Sequence, residues 1–342
     1  MESKNNLLLW FFESKNNRPT SLFISFLSDK ETLNLIKLNK QFYNEYSSLF
    51  SLQKEVRIQD LMLSQKSLNI KNTKFKIKSI KDRDNRIAVS FFLEHWELFI
   101  AKHDSITSLD FGWCTLREQE LIKLSDLLEQ HKNLTSINLH SNIMGYSGMK
   151  ILSGGLNKNR SLSSLNLGYN LLGYESIILL SPFLTLNSNL LSLHLDGNEI
   201  QEKGIEILSK LLCTNKTNLT YIGLSWNKLC KKGIKILCKA LETNSILKKI
   251  DLHCNSFEYE GAEAMANALK INKELTFIDL HLCKIGKKGI LLILTALETN
   301  TTLEKIDLSF NDYEDNPNVP TRINPALLEK HKKLNQKLKI ID

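Results

Sequence analysis

A pattern of apolar residues recurs eight times along the chain at a nearly constant spacing. Each copy reads LxxLxLxxN or a close variant, as in LTSINLHSN at residue 134, LKKIDLHCN at 247 and LEKIDLSFN at 303. The copies begin at residues 106, 134, 162, 190, 219, 247, 275 and 303, so the spacing is 28 residues with one step of 29. A repeat of this length is typical of a solenoid, in which each unit must stack on its neighbours to bury its apolar face.

The second half of each unit predicts a turn and a helix. In NKLCKKGIKILCKALETNSIL, which starts at Asn227, a Gly lies six residues after the Asn. Apolar residues then recur at i, i+3, i+4 and i+7, the spacing of one helix face. Each unit is therefore expected to form a short strand, a turn and a helix. The strands should be parallel and should begin near residues 108, 136, 164, 192, 221, 249, 277 and 305.

Two sets of residues should hold the units together. The last leucine of each motif is expected to point inward, and these residues are Leu139, Leu167, Leu195, Leu224, Leu252, Leu280 and Leu308. The asparagines should bond the free backbone groups of the adjoining turns, because buried polar groups need partners. They are Asn142, Asn170, Asn198, Asn227, Asn255 and Asn311. Cys114 and Cys283 replace the Asn in two units, and Ser176 replaces the Gly in one.

These features resemble the leucine-rich repeats of the ribonuclease-inhibitor-like subtype, and the resemblance covers residues 106–311. The subtype commonly replaces the Asn with Cys. It implies an α/β fold, a horseshoe-shaped leucine-rich repeat solenoid of eight strand-helix units with strands on the concave side and helices on the convex side. The expected organisation is a small helical N-terminal domain at 1–65, a basic connector at 66–86, a repeat domain at 87–322 with an N-terminal capping helix at 87–102, and a C-terminal capping helix at 323–342.

The stretch KIDLHCN, residues 249–255, brings Asp251, His253 and Cys254 together. A carboxylate, an imidazole and a thiol are the parts of a cysteine nucleophile with its base. However, IDLH recurs at 278–281 and IDLS at 306–309, whereas catalysis needs one unique constellation. We therefore predict no catalytic site and no cofactor. Strand spacing permits a metal site built from the histidines and aspartates, but no dedicated ligand spacing supports one, so none is predicted.

Side chains at the third, fifth, seventh and eighth positions of each motif should face solvent on the concave side. Equal positions form rows, because neighbouring strands lie about 4.8 Å apart. Exposed aromatic rings in these rows indicate protein-binding hot spots, unless they only cover the rim of the core. The candidate ligand residues are Trp226, Tyr221, Phe277, Asp251, Asp279, Asp307, His253, His281, Lys249, Lys305, Trp113, Tyr169 and Phe310.

Three of these candidates form a row of carboxylates on neighbouring strands: Asp251, Asp279 and Asp307. Unit charges at this spacing repel by roughly 1–3 kcal/mol at effective dielectric constants of 80 down to 20. Lysines and histidines in adjacent rows are expected to relieve part of the repulsion. The row is either a solvated polar surface or an acidic patch shaped for a basic ligand.

The segment RPTSLFISFLSDKETLNLIKLNKQFYNEYSSLF, residues 18–50, is similar to an F-box. It has a Pro near its start, an Ile-x-x-Leu segment, an acidic turn and a helix of spaced leucines that ends in an aromatic residue. The matching positions are Pro19, Ile24, Leu27, Asp29, Leu33, Leu38 and Phe42. The usual Leu-Pro opening is absent and Phe42 stands where Trp is common, so a generic helical cap is the alternative. The resemblance implies docking onto Skp1, the adaptor of cullin ubiquitin ligases.

The formal net charge of +8 is scattered along the chain. Residues 66–86 carry eight Lys or Arg, and other lysines fall in the C-terminal segment and in turns near the helices. Nucleic-acid binding usually shows one continuous basic face, so no nucleic-acid partner is expected. No stretch approaches the ~20 apolar residues that cross a bilayer, and six cysteines without a CxxC pair favour reduced thiols. We predict no membrane association and a cytoplasmic location, which becomes the host cytoplasm for an effector of an intracellular bacterium.

The sequence thus predicts a non-enzymatic module that binds a protein ligand on its concave face. One hypothesis is a substrate receptor that recruits Skp1 and a cullin ubiquitin ligase. The other is a direct inhibitor or sequestering partner of an enzyme. A GTPase-activating role is implied by the resemblance of the repeats to the activator of Ran, but only Arg117 and Arg160 lie in the repeats, neither at a position that marks it as functional.

Overall fold

The computed structural model describes residues 79–81, 86–94, 96, 106–311 and 338–341, all within the compact unit Lys78–Asp342. The described residues form ten short strands and eight helices. In chain order these are β1 Ser79–Lys81, α1 Arg86–Glu94, β2 Ser108–Asp110, α2 Glu118–Gln130, β3 Ser136–Asn138, α3 Gly145–Lys158, β4 Ser164–Asn166, α4 Gly173–Leu186, β5 Ser192–His194, α5 Gln201–Cys213, β6 Tyr221–Gly223, α6 Lys231–Thr243, β7 Lys249–Asp251, α7 Glu258–Ile271, β8 Phe277–Asp279, α8 Gly286–Leu297, β9 Lys305–Asp307 and β10 Lys339–Ile341.

The strands form one open parallel sheet in which spatial order follows chain order. Strands β2 to β9 begin at the eight residues that the repeat spacing predicts. Equal motif positions pair across the sheet, for example Asp251 with Asp279 and Tyr221 with Lys249. The predicted fold is therefore confirmed over the described repeats.

Two strands were not expected. Strand β1 pairs with β2 inside the segment assigned to the connector, and β10 pairs with β9 inside the segment assigned to the C-terminal capping helix. The sequence around β1, IKSIKDRDN at residues 77–85, keeps the motif at Ile77, Ile80 and Asn85 and departs from it at Asp82. The sequence around β10 does not carry the motif. Each strand pairs the backbone of a terminal repeat strand that would otherwise present a free edge.

Helix α1 packs on the first repeat. It begins at Arg86, one residue before the expected capping helix, and is described as far as Glu94, with Trp96 also helical. The ring of Phe92 lies 5.8 Å from that of Phe111, edge to face, and both side chains are fully buried. The apolar face of α1 thus covers the core of the first repeat.

The predicted asparagines hold consecutive repeats together. Asn227, which is fully buried, is representative. Its Nδ2 donates to the carbonyls of Leu195 and Ser225 at 2.9 and 3.0 Å. Its Oδ1 accepts from the backbone N–H groups of Asn198 and Ile200 at 3.1 and 3.2 Å. One side chain thus satisfies turn groups of two units, as predicted.

A second set of buried asparagines lies at the opposite end of the strands, where each helix leads into the next strand. Asn159 donates to the carbonyl of Leu128 at 2.8 Å and accepts from the N–H groups of Ser161 and Leu162 at 3.0 and 2.9 Å. The same role falls to Asn187, Asn244, Asn272 and Asn300. Together the two sets of asparagines fix both ends of the strands. The sequence analysis did not predict the second set.

Five units carry the Gly, and it permits close packing of the helix. A Cβ on Gly204 would lie 2.3 Å from Cγ2 of Ile200 and 3.3 Å from the backbone of Tyr174 on the preceding helix. Ser176 occupies the equivalent place in the third repeat, fully buried, and its hydroxyl donates to the carbonyl of Leu172. The Ser that replaces Gly in this repeat is therefore accommodated by a local hydrogen bond.

Candidate functional site

The strands are only three residues long, which decides where the candidate side chains lie. Each strand holds the third, fourth and fifth motif positions, and the fourth is buried, as at Ile250. The third and fifth positions therefore lie on the opposite sheet face, which we call the open sheet face and which the sequence analysis predicts to be concave. The seventh and eighth positions lie on the turn that follows each strand.

Large aromatic side chains are exposed along this turn. Trp113 is 56% exposed, Tyr169 42%, Trp226 53% and Phe310 57%. All eight residues at the eighth position have left-handed backbone, with φ between 53° and 64°. Left-handed backbone costs a residue with a Cβ roughly 1–2 kcal/mol. The turn therefore holds these rings outward at a cost that the repeat accepts in every unit.

Several of the rings contact histidines at the seventh position. His140 lies between Trp113 and Tyr169, at ring-centroid distances of 5.5 and 5.0 Å. His281 lies 5.1 Å from Phe310. Trp226, in contrast, has no aromatic ring partner among the described residues and is 53% exposed.

The predicted candidates at the third position are less exposed. Tyr221 is half-buried, with its ring 4.6 Å from that of His194. Phe277 is also half-buried, and the ammonium of Lys305 lies over its ring at 5.0 Å. Lys249, between the two rings in the sheet register, is exposed. The third row thus offers apolar surface flanked by cations.

The carboxylates of the fifth row face one another across the sheet. Asp279 pairs with Asp251 on one side and with Asp307 on the other. Burial, together with the charges of these two neighbours, raises the pKa of Asp279. None of the three carboxylates pairs with a Lys or Arg among the described residues. The ammonium of Lys305 lies over the ring of Phe277 instead.

A histidine offsets part of the repulsion between these carboxylates. Oδ1 of Asp251 accepts from the backbone N–H of His253 at 3.0 Å and lies 2.7 Å from its Nδ1. This hydrogen bond raises the pKa of His253. The alternation of side chains along an extended chain places the fifth and seventh positions on one side, as the sequence predicts.

The same residues contain a potential metal site. Asp251, His253 and Asp279 each offer one ligand atom, and these three atoms lie within 4.8 Å of one another. They form the one such group of three in the described part of the chain. All three side chains are half-buried.

A further carboxylate lies beside this group, at a seventh position that the sequence places among the solvent-facing rows but that was not among the candidate residues. Oδ1 of Asp196 accepts from the N–H and hydroxyl of Ser225 at 3.1 and 2.8 Å. A Cβ on Gly223 would lie 2.6 Å from Oδ2 of Asp196, so a larger residue there would displace this carboxylate. Burial and the nearby charges of Asp196, Asp251 and Asp279 raise the pKa of the Tyr221 phenol, which therefore stays a neutral hydrogen-bonding group.

The thiol beside His253 is not activated. Burial and the charges of Asp251 and Asp279 raise the pKa of Cys254. A nucleophilic cysteine needs a lowered pKa and an electropositive setting. The neutral thiol agrees with the prediction that KIDLHCN is not a catalytic motif.

Comparison with known proteins identifies the fold. A family described as Leucine Rich repeat matches residues 186–209, 243–266 and 299–315. The leucine-rich repeat-containing protein LegL7 from Legionella pneumophila has a similar structure, with a TM-score of 0.56 and 19% identity over 78% of this chain and 82% of that one. The fold is a leucine-rich repeat solenoid. Solenoids of this kind are generally interaction modules with extended binding surfaces.

Other comparisons add little. The tropomodulin C-terminal domain of Caenorhabditis elegans matches 48% of this chain and 92% of its own, with 11% identity and a TM-score of 0.38. The leiomodin-1 actin-binding site 2 matches 56% of this chain and 89% of its own, with 15% identity and a TM-score of 0.34. Scores this low carry no argument about function. No curated protein matches the chain significantly in sequence.

The F-box-like segment, residues 18–50, lies outside the described residues, as does the rest of the predicted N-terminal domain. Within the described part, none of the helices is long and apolar enough to cross a membrane.

Proposed function

We propose that this chain binds a protein partner on the open sheet face of its solenoid. The observation that carries the proposal is the set of large aromatic side chains held 42–57% exposed beside that face. Exposed aromatic residues on a rigid scaffold are the usual material of binding hot spots, and large exposed apolar patches mark interaction sites.

The C-terminal half of the face offers the best anchoring surface. Trp226 is 53% exposed, and Tyr221 and Phe277 supply apolar surface within the sheet. Asp251 and Asp279 lie on the strands between and beside them. A partner with an apolar centre and basic groups at its rim fits this arrangement, because opposite charges favour encounter.

The test begins with isolation of the partner by affinity capture and mass spectrometry, followed by titration calorimetry. Trp226→Ala should weaken binding by about 2 kcal/mol or more, roughly thirtyfold. Asp251→Asn should weaken binding mainly at low salt, because rim charges are screened by ions. Lys235→Ala, at an exposed position of helix α6, is the matched control. Loss of affinity in the control alone would place the partner on the helices and refute the proposal.

The F-box-like segment favours a more specific role, that of a substrate receptor for a cullin ubiquitin ligase. The pattern from Pro19 to Phe42 supports it, with Ile24, Leu27, Leu33 and Leu38 as the apolar contacts to Skp1. Leu27→Asp with Leu38→Asp should then abolish copurification with Skp1 while the repeats stay folded. A folded wild-type chain that does not bind Skp1 leaves the alternative role, in which the repeats inhibit or sequester an enzyme directly.

A GTPase-activating role finds less support. The guanidinium of Arg160 donates to the carbonyls of Asn157 and Asn159 at 2.7 and 2.8 Å. It is therefore held by its own turn rather than extended toward a nucleotide. Arg117 precedes helix α2 at its N-cap, away from the open sheet face.

A further inference from the structure

The group formed by Asp251, His253 and Asp279 has the geometry of an open metal site. The two aspartates are register partners on β7 and β8, and the histidine follows two residues after the first. One potential ligand atom from each lies within 4.8 Å of the other two. A bound zinc ion, with ligand bonds of about 2.1 Å, holds its donors roughly 3.4 Å apart. Small side-chain rotations at half-buried positions close this difference.

Two ligand atoms of the cluster already lie close together. Nδ1 of His253 is 2.7 Å from Oδ1 of Asp251. A metal ion bound between these two atoms would replace the proton that they share, because metal ligands must be deprotonated. The hydrogen bond that Asp279 accepts within the described residues goes to Oδ1, which leaves its Oδ2 for the ion.

Lysines compensate several carboxylates elsewhere in the solenoid. Lys231, at the start of helix α6, pairs with Glu258 and Glu260 at 3.1 and 2.9 Å, and Lys228, on a turn, pairs with Glu199 at 2.5 Å. The carboxylates on β7 and β8 have no such Lys or Arg partner among the described residues. A divalent cation between them would supply the compensation that lysines supply elsewhere.

We propose that Asp251, His253 and Asp279 bind a divalent transition-metal ion of the zinc class, which links strands β7 and β8. Two carboxylates and an imidazole suit such ions better than Ca²⁺ or Mg²⁺, which prefer oxygen ligands alone. Three protein ligands leave a further coordination position for water or for a group of a bound partner. No sequence motif predicts this site, because its ligands come from two repeats and are brought together only by the register of the sheet.

The experiment uses the full chain, treated with chelator and dialysed, and titrated with zinc chloride in a calorimeter. We expect one ion per chain and a loss of affinity of about tenfold or more in both His253→Gln and Asp279→Asn. Asp307→Asn, one strand further along the same row, is the matched control and should change the affinity by less than about threefold. Calcium chloride should give no binding in the same concentration range.

Cobalt(II) distinguishes this site from the thiols of the chain, of which Cys213 is exposed. Binding at the proposed ligands gives visible bands without the intense near-ultraviolet thiolate transition, and His253→Gln removes them. Circular dichroism checks the fold of each variant. If Asp279→Asn unfolds, the His253→Gln variant, at a half-exposed position, carries the test alone. No zinc binding by the wild type, or zinc binding unchanged in His253→Gln, would overturn the proposal. Partner capture without zinc tests the proposed function separately.

Discussion

Replacement of Asn227 with Ala tests how the repeats hold together. The side chain is fully buried and makes four hydrogen bonds to groups of its own and the preceding repeat. The carbonyls of Leu195 and Ser225 keep other partners, since Nδ2 of Asn198 donates to the first and the N–H of Gly197 to the second. Alanine would thus orphan two groups, the N–H groups of Asn198 and Ile200.

The expected loss of stability follows from these two unpaired N–H groups. A buried donor without a partner destabilises a protein by about 1–3 kcal/mol, so Asn227→Ala should lower the free energy of unfolding by about 2–6 kcal/mol. The effect should be concentrated at the junction of the fourth and fifth repeats, because each solenoid unit contacts only its neighbours.

Urea denaturation followed by circular dichroism measures the loss, and hydrogen exchange locates it. Asn227→Cys is the matched control, because Cys283 fills the same place in the seventh repeat and its Sγ accepts from the backbone N–H of Asn255, the equivalent of Asn198. The cysteine variant should lose less stability than the alanine variant. A loss below about 1 kcal/mol for alanine, or equal losses for both, would refute the argument from orphaned N–H groups.

Three further predictions concern single positions. Burial opposes ionisation of Asp196, but hydrogen bonds from His194 and Ser225 outweigh it and lower its pKa. Its contribution to stability is therefore present above the ordinary Asp pKa of about 3.9 and is lost as pH falls through the lower folded pKa, so Asp196→Asn should flatten acid unfolding in that range. Gly204→Ala should cost about 1–3 kcal/mol in chemical denaturation, because the new Cβ would overlap Ile200. Trp226→Gly should leave thermal stability unchanged or raise it by about 1 kcal/mol, because Gly adopts left-handed backbone freely; a marked loss would mean that the ring supports the fold.

The sequence predicted the strands to the residue because the period leaves no other register. A slip by one residue would turn residues such as Ile250 out of the core. The second asparagine set was equally visible, since an Asn stands three residues before the opening Leu in five units, as at Asn159 and Asn272. Strand β1 was partly visible, since Ile77, Ile80 and Asn85 fall at motif positions 29 residues before the first unit, although Asp82 breaks the pattern. Strand β10 was not predictable in this way, because its pairing depends on a neighbouring strand rather than on a motif of its own.

The candidate site was predictable as rows but not as contacts. Motif positions place Asp251 and His253 on one side, and the structure joins them by a hydrogen bond. They do not tell whether Lys305 turns to a carboxylate or to the ring of Phe277, because that choice depends on side-chain rotamers and on competing partners. The left-handed turn that carries Trp226 and its equivalents also gives no signal, since most residues there are not Gly.

The positions that vary between repeats indicate where a partner should bind. Core and turn positions repeat because every unit needs them, whereas the rows on the open sheet face are free of that constraint. The third row is serine in the first four repeats, from Ser108 to Ser192, and then changes to Tyr221, Lys249, Phe277 and Lys305. Small hydroxyls suffice for a solvated sheet, so the change to large aromatic and charged side chains has no structural reason. A partner that binds this face should therefore contact the last four repeats. The double variant Tyr221→Ser with Phe277→Ser should impair binding more than substitutions of the four serines do.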